Sequence, residues 1–134
     1  MKSYLLASVI CVSAAQAQVV ECPKFYPQAD TVFSEVPPHH TGTGMVMRQP
    51  LSGALLNVGE FNGGGDIEGL RKDAKNGYEV KFGIWDGRKW LVCFYGPNNS
   101  VRWWEPLNEG EVECTLKVVK KNAQGAMDAV LTCK

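Results

Sequence analysis

From Tyr78 to Ile84 apolar and polar side chains alternate without a break: Tyr78, Val80, Phe82 and Ile84 on one face, Glu79, Lys81 and Gly83 on the other. Strict alternation over such a run predicts a half-buried β-strand. A second apolar run, Lys89 to Tyr95, follows Asp86-Gly87. Asp-Gly between two such runs is a strong short-range hairpin signal. Pairing about it sets Phe82 opposite Leu91, Val80 opposite Cys93 and Tyr78 opposite Tyr95, so Cys93 points into the core. The other face of the second run carries Trp90, Val92 and Phe94; a strand apolar on both faces is central in a sheet or covered on both sides.

The same reading predicts a closing hairpin. Cys114 to Val119 and Ala126 to Cys133 flank the polar stretch Lys120 to Gly125. Folded about Ala123 and Gln124, they set Cys114 opposite Cys133, Leu116 opposite Leu131 and Val118 opposite Ala129, all on one face. Directly opposed residues that share no hydrogen bonds come close enough for a disulfide.

Ala54 to Phe61 reads as a strand with Leu56 and Val58 on one face, ending in Asn62-Gly63-Gly64-Gly65. Pro50-Leu51-Ser52-Gly53 before it reads as a turn. Gly44 to Arg48 is a short strand and Pro37 to Gly42 a loop. Asp66 to Lys75 fits a short helix capped by Asp66, with Ile67, Leu70 and Ala74 at helical spacing. Gly96 to Ser100 is a turn, and Val101 to Glu105 a strand closed by Pro106. The fold expected is all-β with at most one short helix: an antiparallel sandwich or partly closed barrel.

The N-terminus places this domain. Lys2 precedes an apolar run from Leu5 to Ala14, too short to span a bilayer, and Ala15-Gln16-Ala17 has the form of a signal peptidase site. The expected signal peptide is residues 1–17 and the mature domain residues 18–134, periplasmic or secreted. A lipoprotein signal ending at Cys11 is the weaker reading, because Ile10 stands where a small residue is required. Cleavage removes Cys11 and leaves Cys22, Cys93, Cys114 and Cys133. Four cysteines allow three pairings; the hairpin register favours Cys114–Cys133 and so Cys22–Cys93.

Charge and chemistry narrow the function. Fourteen basic and fourteen acidic side chains balance. Loss of Lys2 leaves thirteen against fourteen, with no basic stripe for nucleic acid. The mature chain carries no apolar run that would span a membrane. His39-His40 on a proline-rich loop is the only histidine source, so neither a metal set nor a nucleophile–base pair is offered. Gly63-Gly64-Gly65 lacks the Lys-Ser/Thr of a P-loop. The carboxylates Asp66, Glu68, Asp73 and Asp86 show no pairing that singles out glycoside chemistry. No catalytic residue, metal ligand or cofactor is therefore assigned. The tryptophans say more. Trp103 and Trp104 are strand neighbours and point to opposite faces. Trp90, Phe94, Arg102 and one of these two tryptophans, with Arg88 at the margin, are the expected partner-binding residues.

Trp90-Leu91-Val92-Cys93-Phe94-Tyr95, the early Cys22-Pro23, Glu113-Cys114-Thr115 and the terminal Cys133 resemble a family of small periplasmic proteobacterial proteins, some encoded beside type VI secretion genes. The strand Leu56 to Gly63 matches as well, while Gly64-Gly65 stand where the family pattern has a proline-containing turn. The resemblance implies a non-enzymatic periplasmic protein: an immunity protein or inhibitor that neutralises a cell-wall-targeting effector or a lysozyme-like enzyme. Periplasmic lysozyme inhibitors, also small disulfide-bonded β proteins, are a near variant, with Ser52-Gly53 a faint echo of their inhibitory loops. The alternative is an envelope carbohydrate- or ligand-binding module using an exposed tryptophan.

Overall fold

The structure is a computed structural model that describes residues 17–26, 29–31, 35–42, 44–46, 48–83, 87–110, 113–121 and 125–134. Residues 1–16 of the expected signal peptide, the Asp86 side of the Asp-Gly pair and the Ala123-Gln124 turn lie outside the described residues. The chain is all-β. Its strands are β1 (Gln18–Glu21), β2 (Phe25–Tyr26), β3 (Ala29–Thr31), β4 (Gly44–Val46), β5 (Gln49–Val58), β6 (Gly65–Asp66), β7 (Leu70–Ala74), β8 (Gly77–Phe82), β9 (Lys89–Tyr95), β10 (Val101–Leu107), β11 (Cys114–Lys120) and β12 (Met127–Cys133). A 3₁₀ turn, Pro97–Asn99, joins β9 to β10.

Two antiparallel sheets face each other. Sheet I runs β1-β12-β11-β8-β7, and sheet II runs β10-β9-β5-β2, with β6 also on β5; β3 and β4 form a separate pair. The inward faces are those the alternation specified. Cys114, Leu116 and Val118 of β11, Ala129, Leu131 and Cys133 of β12, and Phe82 of β8 meet Leu51, Ala54, Leu56, Leu91, Cys93 and Tyr95 of sheet II in one core. On the outer face of sheet I, Glu79 lies opposite both Lys117 and Lys72. That alternation of charge suits a solvated surface.

The closing hairpin has the expected register: Cys114 pairs with Cys133, Leu116 with Leu131 and Val118 with Ala129. Glu113 and Lys134, one step outward, exchange both backbone hydrogen bonds at 3.2 and 2.9 Å. Alternation makes Cys114–Cys133 a pair without mutual backbone bonds, the closely spaced kind. Its Cα atoms lie 4.1 Å apart and the disulfide closes there. The second disulfide joins Cys22 to Cys93 across a separation of 71 residues. Both pairs are buried, and structural disulfides belong to an oxidising compartment. Among the described residues no helix is long and apolar enough to cross a membrane.

Several expectations are overturned. Strands β8 and β9 do not form a hairpin: β8 pairs with β11 and β7, while β9 pairs with β10 and β5. Phe82 and Leu91 therefore share the core from opposite sheets rather than lying side by side. Both runs carry an inward apolar face, and alternation cannot say whether two such faces lie in one sheet or confront each other across a core. Asp66 to Lys75 is not a helix but β6 and β7. Gly69 sits where a Cβ would come within 2.6 Å of the Lys81 carbonyl oxygen, so the backbone runs flat against β8 there. Finally, Pro50 to Gly53 is not a turn. It lies inside β5, where Leu51 pairs with Tyr95 and Gly53 with Phe94, leaving Ser52 as a bulge. The extra residue shifts the face parity, so Leu51 and Ala54, three positions apart, are both buried inward. Strand β10 also runs on through Pro106, which pairs with Trp90. Proline is tolerated there because β10 is an edge strand.

Tyr95 ties the sheets together at one end. Its side chain is fully buried and its hydroxyl donates to the Pro23 carbonyl at 2.7 Å. Burial pushes its hydroxyl up to about 12 from the ordinary 10.0. A phenol with a raised folded pKa stabilises fully below its unfolded value and loses that contribution as pH rises through the folded value. Stability should therefore be flat in this respect up to about pH 10 and then fall by up to about 2 kcal/mol towards pH 12. Burial also raises Tyr78, against a smaller opposing effect of Arg71. Chemical unfolding at stepped pH checks this: Tyr95→Phe should be weaker by about 1 kcal/mol at neutral pH and should lose most of the alkaline slope. An unchanged slope would refute the assignment to Tyr95.

Candidate functional site

The outer face of sheet II differs from that of sheet I. Inward Leu91, Cys93 and Tyr95 leave Trp90, Val92 and Phe94 of β9 pointing outward. The register of β10 brings Pro106 beside Trp90, Trp104 beside Val92 and Arg102 beside Phe94. On the other flank β5 sets Asn57 beside Trp90 and Leu55 beside Val92. The result is a continuous apolar and aromatic strip across three strands, and Val92 is buried beneath it although it faces away from the core.

A loop completes the strip. After β5 the chain turns through Gly59 to Gly64, with positive φ at Gly59 and Asn62. Backbone bonds from Gly63 and Gly64 to the Glu60 carbonyl close the turn. Trp90 Nε1 donates to the Gly59 carbonyl at 2.9 Å, and Arg88 pairs with Glu60 at 2.9 Å. The loop thereby lays Phe61 on the strip. Its ring lies 5.9 Å from Trp90 and 5.3 Å from Trp104, and the two indoles are 6.3 Å apart; the interplanar angles are 63°, 68° and 79°. Edge-to-face packing of this kind is favourable and rigid. Phe61 nevertheless remains 61% exposed. The Arg102 guanidinium caps the far end, 5.4 Å above the Phe94 ring.

Of the expected partner-binding residues, Trp90, Phe94, Arg102 and Trp104 share this face, and Arg88 stands at its margin. Trp103 does not. It points to the core side of β10, beside Cys93 and β1, and is still 44% exposed because β10 is the sheet edge. The alternation assigns Glu60 and Phe61 to a strand ending at Phe61, but β5 stops at Val58 and both lie in the turn that follows. A large apolar residue at the mouth of a glycine-rich turn was the available signal, but only the turn geometry shows where Phe61 lands.

The remaining polar candidates are dispersed. Asp66 accepts from Asn57 Nδ2 at 2.9 Å, and Asp73 pairs with Arg71 at 2.8 Å. His40 Nδ1 contacts the Pro38 carbonyl at 2.8 Å within its own loop. Among the described residues no group of three or more His, Cys, Asp or Glu could hold a metal. No family model, curated protein or solved structure matches this chain.

Proposed function

We propose that this is a non-enzymatic binding protein of the periplasm, exported by a signal peptide cleaved after Ala17. Its role is that of an immunity protein or inhibitor, neutralising a cell-wall-targeting effector or a lysozyme-like hydrolase. The observation that carries the reading is the Phe61–Trp90–Trp104 cluster, an exposed apolar face held rigid by packing and flanked by the Glu60–Arg88 pair and Arg102. Rigid aromatic anchors inside a polar rim are what protein interfaces concentrate their energy in, and a patch of this kind on a small domain marks an interaction site. The two disulfides supply the scaffold. The resemblance carried by Cys22-Pro23 and the Trp90 to Tyr95 strand supports the compartment and the target class. A sugar-binding module is supported less, because rings set at 63° to 79° to one another form no flat ribbon for a saccharide chain.

The test is capture of periplasmic peptidoglycan hydrolases by the purified oxidised protein, followed by titration of the captured enzyme against variants. Phe61→Ala should fold normally and weaken binding by about 2 kcal/mol, roughly thirtyfold. Trp104→Ala should do the same at some cost in melting temperature, since Trp104 also covers Val92. Unchanged affinity in Phe61→Ala would remove this face from the interface. Tight binding to a soluble glycan with no binding to any hydrolase would replace the inhibitor reading.

A further inference from the structure

Strands β1 and β10 are the edges of their respective sheets on the same side of the sandwich. An open cleft of about 430 Å³ lies between them, lined by both strands, with Pro23 and Cys93 in its wall. Asn108 N–H, just past β10, bonds the Gln18 side chain at 2.8 Å and closes one end. At the other end Pro23 meets Tyr95, which pairs with Val101. The two strands therefore run in opposite directions along the cleft.

Their backbones face it. Pro106 has no N–H and pairs opposite Trp90, so its nitrogen belongs on the side away from β9. Backbone groups alternate sides along a strand, so Arg102 and Trp104 present both N–H and C=O to the free edge. On β1, Cys22 N–H bonds the Ala129 carbonyl at 3.0 Å, on the β12 side. By the same alternation Val19 and Glu21 present theirs to the cleft. Both rows lie where an added strand would pair. The lining residues include two carboxylates, Glu105 on the core side of β10 with Trp103 and Glu21 on the outer side of β1 beside Val130, and no Lys or Arg. Neither carboxylate forms an ion pair among the described residues. Arg102, the nearest cation on β10, is turned to the opposite face over Phe94. Trp103 adds a broad apolar surface beside them.

We propose that this cleft is a strand-addition site for an extended, basic segment of a protein partner, paired along β10 with its Lys or Arg side chains toward Glu105 and Glu21. Main-chain pairing supplies affinity in such sites, and side chains supply selection. The carboxylates specify the charge of the occupant, and the alternation of the edge specifies its extended form. The cleft adjoins the Phe61–Trp104 face along β10, since Trp104 belongs to both, but it does not depend on the inhibitor reading.

The probe is a short peptide alternating Lys and Val, titrated into the oxidised isotope-labelled protein at low salt. Amide shifts should concentrate in Val19 to Glu21 and Arg102 to Trp104. The Glu21→Gln/Glu105→Gln protein, with both changes on the surface, should keep its fold and bind roughly three- to tenfold more weakly. The same peptide with alternate backbone nitrogens methylated, equal in charge, should lose binding. Equal binding of the methylated peptide would show a charge contact without strand pairing and overturn the proposal. So would shifts confined to Phe61, Trp90 and Phe94, or no shifts at all.

Discussion

Replacing both Cys22 and Cys93 with Ala is expected to cost about 4 kcal/mol, more than the roughly 3 kcal/mol expected for Cys114 and Cys133. The order follows from the loops each bridge closes: a separation of 71 residues for the first and 19 for the second. The longer loop removes more freedom from the unfolded chain. The native contexts point the same way. Cys114 and Cys133 sit on neighbouring strands already held by a continuous ladder from Cys114 to Lys120. Cys22 follows the short edge strand β1, and its disulfide ties that segment to the centre of sheet II. A small domain has only about 5–15 kcal/mol of stability in total, so the first loss should leave a marginal fold and fray β1 from β12. Denaturant unfolding of the two double variants checks this, with tryptophan fluorescence and backbone exchange as separate readouts. A larger cost for the Cys114–Cys133 pair would refute the loop argument.

Gly64→Ala should be the most damaging single change near the aromatic face. A Cβ there would fall 1.7 Å from the Val58 carbonyl oxygen and 3.0 Å from Asn57 Oδ1. The first contact is with backbone, so no side-chain rotation relieves it. Asn57 is itself buried and its Oδ1 has no hydrogen-bond partner among the described residues, so the crowded side offers no slack. The loop from Gly59 to Gly64 must move, and Phe61 moves with it. The expected cost is about 2–3 kcal/mol, with loss of the Phe61 contacts to both indoles and a red shift in tryptophan emission. Gly65→Ala is the control: a Cβ there meets nothing within 4 Å. It should stay within about 0.5 kcal/mol of the parent. If binding by the captured hydrolase falls in Gly64→Ala and holds in Gly65→Ala, the loop is part of the interface.

What could be read from the residues alone was whatever depends on near neighbours. The period-2 pattern determined β8, β9, β11 and β12 and their inward faces. The mirror placement of Cys114, Leu116 and Val118 against Ala129, Leu131 and Cys133 determined the register of one hairpin, and through it both disulfides. The adjacency of Trp103 and Trp104 determined that they lie on opposite faces. Which sheet each strand joins was decided by the tertiary structure. Tyr78 to Phe82 and Lys89 to Tyr95 pattern like a hairpin, yet β8 joins one sheet and β9 the other, and their inward faces share the core from opposite sides. Bulges belong to the same class: a single extra residue at Ser52 reversed the parity that alternation assigns, because Leu51 and Ala54 both had core to fill. The aromatic face was half legible for this reason. Trp90, Phe94, Arg102 and Trp104 share it by alternation and register, which are local. Phe61 reaches it through a glycine turn, and Trp103 is half exposed because β10 is an edge; turn geometry and edge position exist only once the two sheets have closed on each other.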